Sequence, residues 1–172
     1  MDDPLDGRIG EAWSGEVPNG SHINVVVARR GSVTAAALAG ALASPRPGHL
    51  PFLACLELGT LVRPTTLVVN KSTLEGETLS KMTWGAAQLG IAQGVLDAVH
   101  EGVLDAADVP ELLLLVAVWV DPTADDERAV RVANREAVRA AIVDAVSPPS
   151  ADDVLALASR REDATNAYYT GA

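Results

Sequence analysis

The sequence predicts an α+β domain, and three observations carry that prediction. Residues 22–28 (HINVVVA) and Leu112–Val120 (LLLLVAVWV) are apolar and rich in β-branched residues, the composition of buried strands. Residues 83–100 and 125–146 are long stretches with helical periodicity. The early strands follow one another across short turns, like hairpins, which favours α+β over a doubly wound arrangement.

The elements follow in order. Residues 1–6 are a loose acidic leader, and residues 8–17 alternate weakly (Ile9, Ala12, Trp13, Val17), as an edge strand does. Pro18-Asn19-Gly20-Ser21 is a turn, because Asn-Gly accepts positive φ. The strand 22–28 is broken at Gly31-Ser32, and Ser32 caps an Ala- and Leu-rich helix over 33–43. Ser44-Pro45-Arg46-Pro47-Gly48 ends it, since proline cannot continue a helix. Residues 51–57 and 65–70 predict two more strands, with a turn or short loop at 59–64 and a polar stretch over 71–81. In the helix 83–100, Ala87, Ile91, Val95, Leu96 and Val99 keep the 3.6-residue period. A loop around Pro110 leads into Leu112–Val120, which Asp121-Pro122-Thr123 stops. The helix 125–146 carries small residues at Ala129, Val132, Ala133, Ala137, Ala140 and Ala141, a face suited to close packing on a sheet or a partner. Ser150 caps a short helix over 150–158, and 159–172 is a polar tail. The 172 residues form one domain, 1–172, large enough for a core without staples.

Composition narrows the function. Thirteen Lys+Arg against 23 Asp+Glu leave a net charge of −10, with no basic patch and only six aromatics, so nucleic acid is not the expected partner. The longest apolar runs are nine residues, 35–43 and 112–120, and no membrane-spanning segment is expected. Met1-Asp2-Asp3-Pro4 lacks the basic and apolar regions of a signal peptide, and the expected compartment is the cytoplasm. A single cysteine, Cys55, excludes an internal disulfide and a cysteine-cluster metal site. Gly-x-Gly-x-x-Gly and P-loop motifs are absent.

Several side chains are chemically suitable for a site. His22 opens a strand beside a turn and shares a face with Asn24, and an imidazole is a side chain suited to proton transfer. Taken alone, a histidine at a strand end is most often structural or exposed. Lys71 follows an apolar strand and can point a cation into a cleft, though most such lysines face solvent. Thr73 lies two residues on, and Gln88 on the first turns of the helix 83–100, where a polar residue is ordinary. His49 and His100 have no carboxylate or cysteine at metal-ligand spacing.

In order along the chain stand Gly10-Glu11-Ala12, Ser21-His22-Ile23-Asn24, Leu53-Ala54-Cys55-Leu56, Val69-Asn70-Lys71-Ser72-Thr73 and Gly85-Ala86-Ala87-Gln88. Glu101-Gly102, Ala124-Asp125-Asp126, Asn134-Arg135-Glu136-Ala137 and Asp163-Ala164-Thr165 follow. Together they resemble the formaldehyde-activating enzyme family from about Gly10 to Thr165. The resemblance implies a fold like the second domain of ribosomal protein S5, a mixed sheet packed with two long helices. It implies condensation of formaldehyde with the reduced pterin tetrahydromethanopterin, to methylene-tetrahydromethanopterin and water. It also implies a ring-shaped homo-oligomer, a homopentamer, with sites where subunits meet, and no metal. By the same resemblance His22 is catalytic, while Leu53, Lys71, Thr73 and Gln88 contact the pterin. The family reads His-x-Asp where this chain has His22-Ile23-Asn24, so the pterin neighbour at 24 keeps the shape of aspartate and loses its charge. Thr165-Asn166-Ala167-Tyr168 departs too, from Thr-His-Pro-Phe. A divergent member can instead use another aldehyde or a folate-like carrier, or serve as a non-catalytic pterin carrier or sensor.

Overall fold

The computed structural model describes residues 4–164. Strands β1 (Ile9–Ser14), β2 (Ser21–Arg29), β3 (Phe52–Leu53), β6 (Thr65–Asn70) and β7 (Leu112–Val120) form one sheet in the order β1-β2-β7-β6-β3. The sheet is mixed: β6 and β7 run parallel, and the other pairs antiparallel. Strands β4 (Cys55–Glu57) and β5 (Thr60–Leu61) make a separate ribbon. This is the α+β class that the sequence predicts, with β1 and β2 as the expected hairpin.

Alternation decides what faces what. In β2 the side chains of Ser21, Ile23, Val25 and Val27 are fully buried, and in β7 those of Leu112, Leu114, Val116, Val118 and Val120. They meet α3 (Gln88–His100) and α4 (Glu127–Val146), which cover that face of the sheet and pack on each other. On the opposite face α1 (Val33–Leu42) packs through Ala35 and Leu38 against Ala28, Leu113 and Leu115. The other half of that face, at the β1–β2 turn end, is uncovered by any helix among the described residues. β7 is thus buried on one side and half-buried on the other, rather than buried on both as its unbroken apolar run predicts.

Close packing of the two long helices rests on glycine. A Cβ at Gly90 or Gly94 would press into the backbone carbonyls of Arg131 and Arg135, and one at Gly10 into Ala141 of α4. The packed face of α4 is Val130, Ala133, Ala137, Val138, Ala141, Ile142 and Ala145. Of the small-residue face expected from sequence, Ala133, Ala137 and Ala141 pack; Val132 and Ala140 are exposed, because the true stripe is wider and rotated toward Val138 and Ile142. Outside the contact, Arg131, Arg135 and Arg139 pair with Gln93, Asp97 and Glu101, one turn apart on each helix. Arg135 holds the Asp97 carboxyl below its ordinary pKa, and Arg139 does the same for Glu101.

Several boundaries differ from the sequence expectation. The helix expected at Thr83 starts at Glu77: α2 (Glu77–Lys81) passes through a π-helical turn, Met82–Ala87, into α3. The added turn buries Leu79 and Met82, in helical step with Ala86 and Ala87, but these two sit among polar residues and Gly76, which mask the period in the sequence. The strand expected over 51–57 is two strands in different sheets, divided at buried Ala54. Ala54 donates to Thr66 O (2.9 Å) and accepts from Val62 N (3.1 Å), swinging the chain from β3 into β4. The turn expected over 59–64 contains β5. The leader is anchored at its end. Asp6 accepts from Arg29 N (2.7 Å), Ser32 Oγ (2.7 Å) and Thr34 Oγ1 (3.0 Å), which lowers its pKa. The last helix, α5 (Ala151–Ser159), has the expected Ser150 cap and runs one residue into the expected tail. The departure at Thr165-Asn166-Ala167-Tyr168 lies outside the described residues.

Candidate active site

The uncovered half of the sheet is where the chemistry collects. Register sets a row of Trp13, His22 and Trp119 across β1, β2 and β7, and a second row of Glu11, Asn24, Ala117 and Val69. These side chains point away from α3 and α4, because their neighbours Ser21, Ile23 and Val25 point toward them. Ser21 fixes the start of β2 from below, its hydroxyl placed between Trp119 O (2.8 Å) and Asn134 Oδ1 (2.9 Å). The Trp13 and Trp119 rings approach to 5.6 Å between centroids.

Lys71 enters the same space. Its backbone N–H continues the β6–β7 ladder to Val118 O (2.8 Å), so its side chain falls on the face of Leu67 and Val69. Nζ lies 2.7 Å from His22 Nδ1 and 3.3 Å from His22 O. On the other side of the ring, Glu11 Oε1 is 2.6 Å from Nε2. An ammonium can only donate, so Nδ1 accepts from Lys71 and Nε2–H donates to the Glu11 carboxylate; the tautomer follows from the partners. Burial pushes the Lys71 pKa down to about 8, while Glu11 pulls it upward. Asn24, directly across from Glu11, makes no side-chain hydrogen bond among the described residues.

The remaining candidates lie around this cluster or apart from it. Thr73 meets His49: its hydroxyl is 3.3 Å from Nε2, while Nδ1–H donates to Asn70 O (3.0 Å). Gly48, at φ +73°, leaves the room that Thr73 occupies. Leu53 pairs with Leu67 on the face that carries Lys71, but at the far edge of the sheet. Gln88 is on the helical side. Its Nε2 donates to Cys55 O (2.6 Å) in an open groove of about 530 Å³ that Lys81, Gly85, Glu127 and Arg131 also line. Thus His22, Asn24 and Lys71 come together, whereas Gln88 faces a separate groove of the same chain. Glu11, Trp13 and Trp119 were not singled out from sequence. The hairpin register, which sets Glu11 opposite Asn24, is the signal that finds the first. Among the described residues, no group of three or more His, Cys, Asp or Glu is placed to hold a metal ion.

Residues 9–166 match the profile of the family described as formaldehyde-activating enzyme (Fae). The chain belongs to the formaldehyde-activating enzyme family. It is 37% identical over 153 residues to the 5,6,7,8-tetrahydromethanopterin hydro-lyase of Methanosarcina barkeri, covering 88% of this chain and 86% of that protein. It is 33% identical over 148 residues to the bifunctional enzyme Fae/Hps of Methanothrix thermoacetophila, and 34% over 150 residues to that of Methanosphaera stadtmanae. Those matches cover 86% and 87% of this chain but 38% and 37% of the two bifunctional proteins. As a formaldehyde-activating enzyme family member, the chain carries the Glu11–His22–Lys71 cluster inside the matched segment.

Proposed function

We propose that this chain condenses formaldehyde with tetrahydromethanopterin, giving methylene-tetrahydromethanopterin and water. Family membership supports the reaction, and the observation that carries the catalytic assignment is the hydrogen-bonded chain Glu11–His22–Lys71 on the uncovered sheet face. Joining an amine to an aldehyde needs protons moved twice: off the attacking nitrogen and onto the departing hydroxide. His22 is the group in this cluster suited to both, and one positioned acid/base is worth about 10²–10⁴-fold. Glu11 steadies the imidazolium formed when His22 takes a proton. Leu53 packs the apolar face of the pterin, while Lys71, Thr73 and Gln88 hold its polar edges. Holding both reacting nitrogens at the aldehyde carbon supplies the rest.

In this proposal Gln88 reaches a pterin at the His22 cluster only from a second copy, because within one chain it faces its own groove. The active species is then a cytoplasmic homo-oligomer, a homopentamer in the family pattern. No metal takes part in this proposed route.

Asn24 favours a second reading, in which the carrier is a different reduced pterin or folate, or the pocket only binds. One assay separates the readings: the rate of methylene formation over the spontaneous rate, with tetrahydromethanopterin and with tetrahydrofolate. Acceleration with tetrahydromethanopterin is the expected result. Acceleration with tetrahydrofolate alone, or binding without acceleration until Asn24→Asp restores it, selects the second reading.

A further inference from the structure

The chain has two lysines, Lys71 and Lys81, and the structure treats them oppositely. Lys81 is exposed and paired with Glu127 at 2.5 Å, which raises its pKa. Lys71 is half-buried, and its amine stands 2.7 Å from the ring nitrogen of a histidine whose other side is held by a carboxylate. An amine in that setting is a nucleophile toward aldehydes.

We propose that Lys71 is a covalent formaldehyde carrier: its Nζ takes up the aldehyde as a methylene iminium and passes the one-carbon unit to the pterin nitrogen. The proposal rests on the reading of the chain as a formaldehyde-condensing enzyme and deepens it. The steps balance on groups already in place. A proton moves from Nζ to His22 Nδ1, leaving a free amine and an imidazolium whose Nε2–H faces Glu11. The Nζ lone pair attacks the aldehyde carbon, the C=O π pair moves to oxygen, and a proton shift gives the carbinolamine. His22 returns its proton to the hydroxyl, the C–O bond breaks, water leaves, and the nitrogen lone pair closes the iminium. The pterin nitrogen then adds to the iminium carbon. After a proton shift the C–Nζ bond breaks and Lys71 leaves as the amine. Ring closure by the second pterin nitrogen releases the proton that dehydration consumed. The sum is formaldehyde plus reduced pterin to methylene-pterin plus water, with no oxidant or reductant.

Two features favour Lys71 over a role confined to holding a pterin oxygen. Its second contact, the His22 carbonyl at 3.3 Å, is neutral, so among the described residues no anion pairs directly with Nζ to keep it charged. With the pKa lowered to about 8, about one amine in ten is free at pH 7, far above an ordinary lysine.

The test uses the wild-type protein with ¹³C-formaldehyde and cyanoborohydride, which reduces the iminium to a methylated lysine, read by peptide mass spectrometry. Lys71 is expected to label roughly tenfold or more faster than Lys81, the internal control. When tetrahydromethanopterin is added before the reductant, the Lys71 label is expected to discharge into methylene-tetrahydromethanopterin while Lys81 keeps its label. Lys71→Arg keeps the cation but cannot form an imine, and is expected to lose the catalysed rate. Lys71 labelling no faster than Lys81, a label the pterin does not discharge, or an Arg variant within a few-fold of wild type overturns the proposal. Failure of the functional reading shows differently: the wild-type protein then gives no acceleration of methylene formation at all.

Discussion

His22 is gripped at both ring nitrogens, by Lys71 at 2.7 Å and Glu11 at 2.6 Å, and that arrangement assigns its proton before any substrate arrives. Asn24 belongs to the same geometry. It sits directly opposite Glu11, where a second carboxylate would place like charges face to face across the strands. Lys71 leaves a mark on stability. Its pKa is about 8 in the fold and ordinary, 10.5, in the unfolded chain, so between those values the unfolded state binds more protons. Stability therefore rises with pH through that window, relative to Lys71→Met. Urea unfolding of both proteins at pH 7.5 and pH 10 should show the wild type gaining on the variant; an unchanged difference would mean Lys71 is not desolvated. Strand alternation and strand ends mark His22, Asn24 and Lys71 as chemically suitable, and it is the family resemblance that singles them out. Glu11 was not legible in the sequence, since its part depends on which residue of β2 it faces.

At the scale of elements, the site is a by-product of how the sheet is covered. β2 and β7 send alternate residues to α3 and α4, and α1 shields only the far half of the opposite face. The row of Trp13, His22 and Trp119 is what remains. Behind it, α4 lies close to both β1 and α3, which Gly10, Gly90 and Gly94 permit. Gly94→Ala puts a methyl into the Arg135 carbonyl and should cost about 1–3 kcal/mol, visible as a lower urea midpoint. A midpoint equal to wild type would show that the helices have room to separate. The strands and the two long helices were readable from period and composition. The bend at Ala54 and the early start at Glu77 were not, because one depends on tertiary pairing with Thr66 and Val62 and the other on a turn that buries only Leu79 and Met82 among polar residues. The α4 stripe was only half readable, since alanines mark several faces of that helix equally.

The whole molecule carries its candidate residues on two separate surfaces, the open sheet face and the Gln88 groove. A homo-oligomer that brings one surface against the other unites them. The single chain exposes apolar side chains beside both surfaces, among them Trp13, Leu58 and Trp84, which the shared-site proposal places at such a contact. Sedimentation velocity at micromolar concentration should find a pentamer of the 17.8 kDa chain, and a monomer would break the shared-site proposal. Among the described residues no helix is long and apolar enough to cross a membrane. The class of the fold was legible at this scale, but the division of the site was not, because periodicity says nothing about which face of a sheet stays bare. The central claim is that His22, held between Glu11 and Lys71, performs the proton transfers of the condensation. The most direct test is the rate of methylene-tetrahydromethanopterin formation above the spontaneous rate, for wild type and His22→Ala, with pterin binding measured alongside. The account predicts a loss of about 10²–10⁴-fold with binding retained. A His22→Ala protein that accelerates the reaction as well as wild type would contradict it.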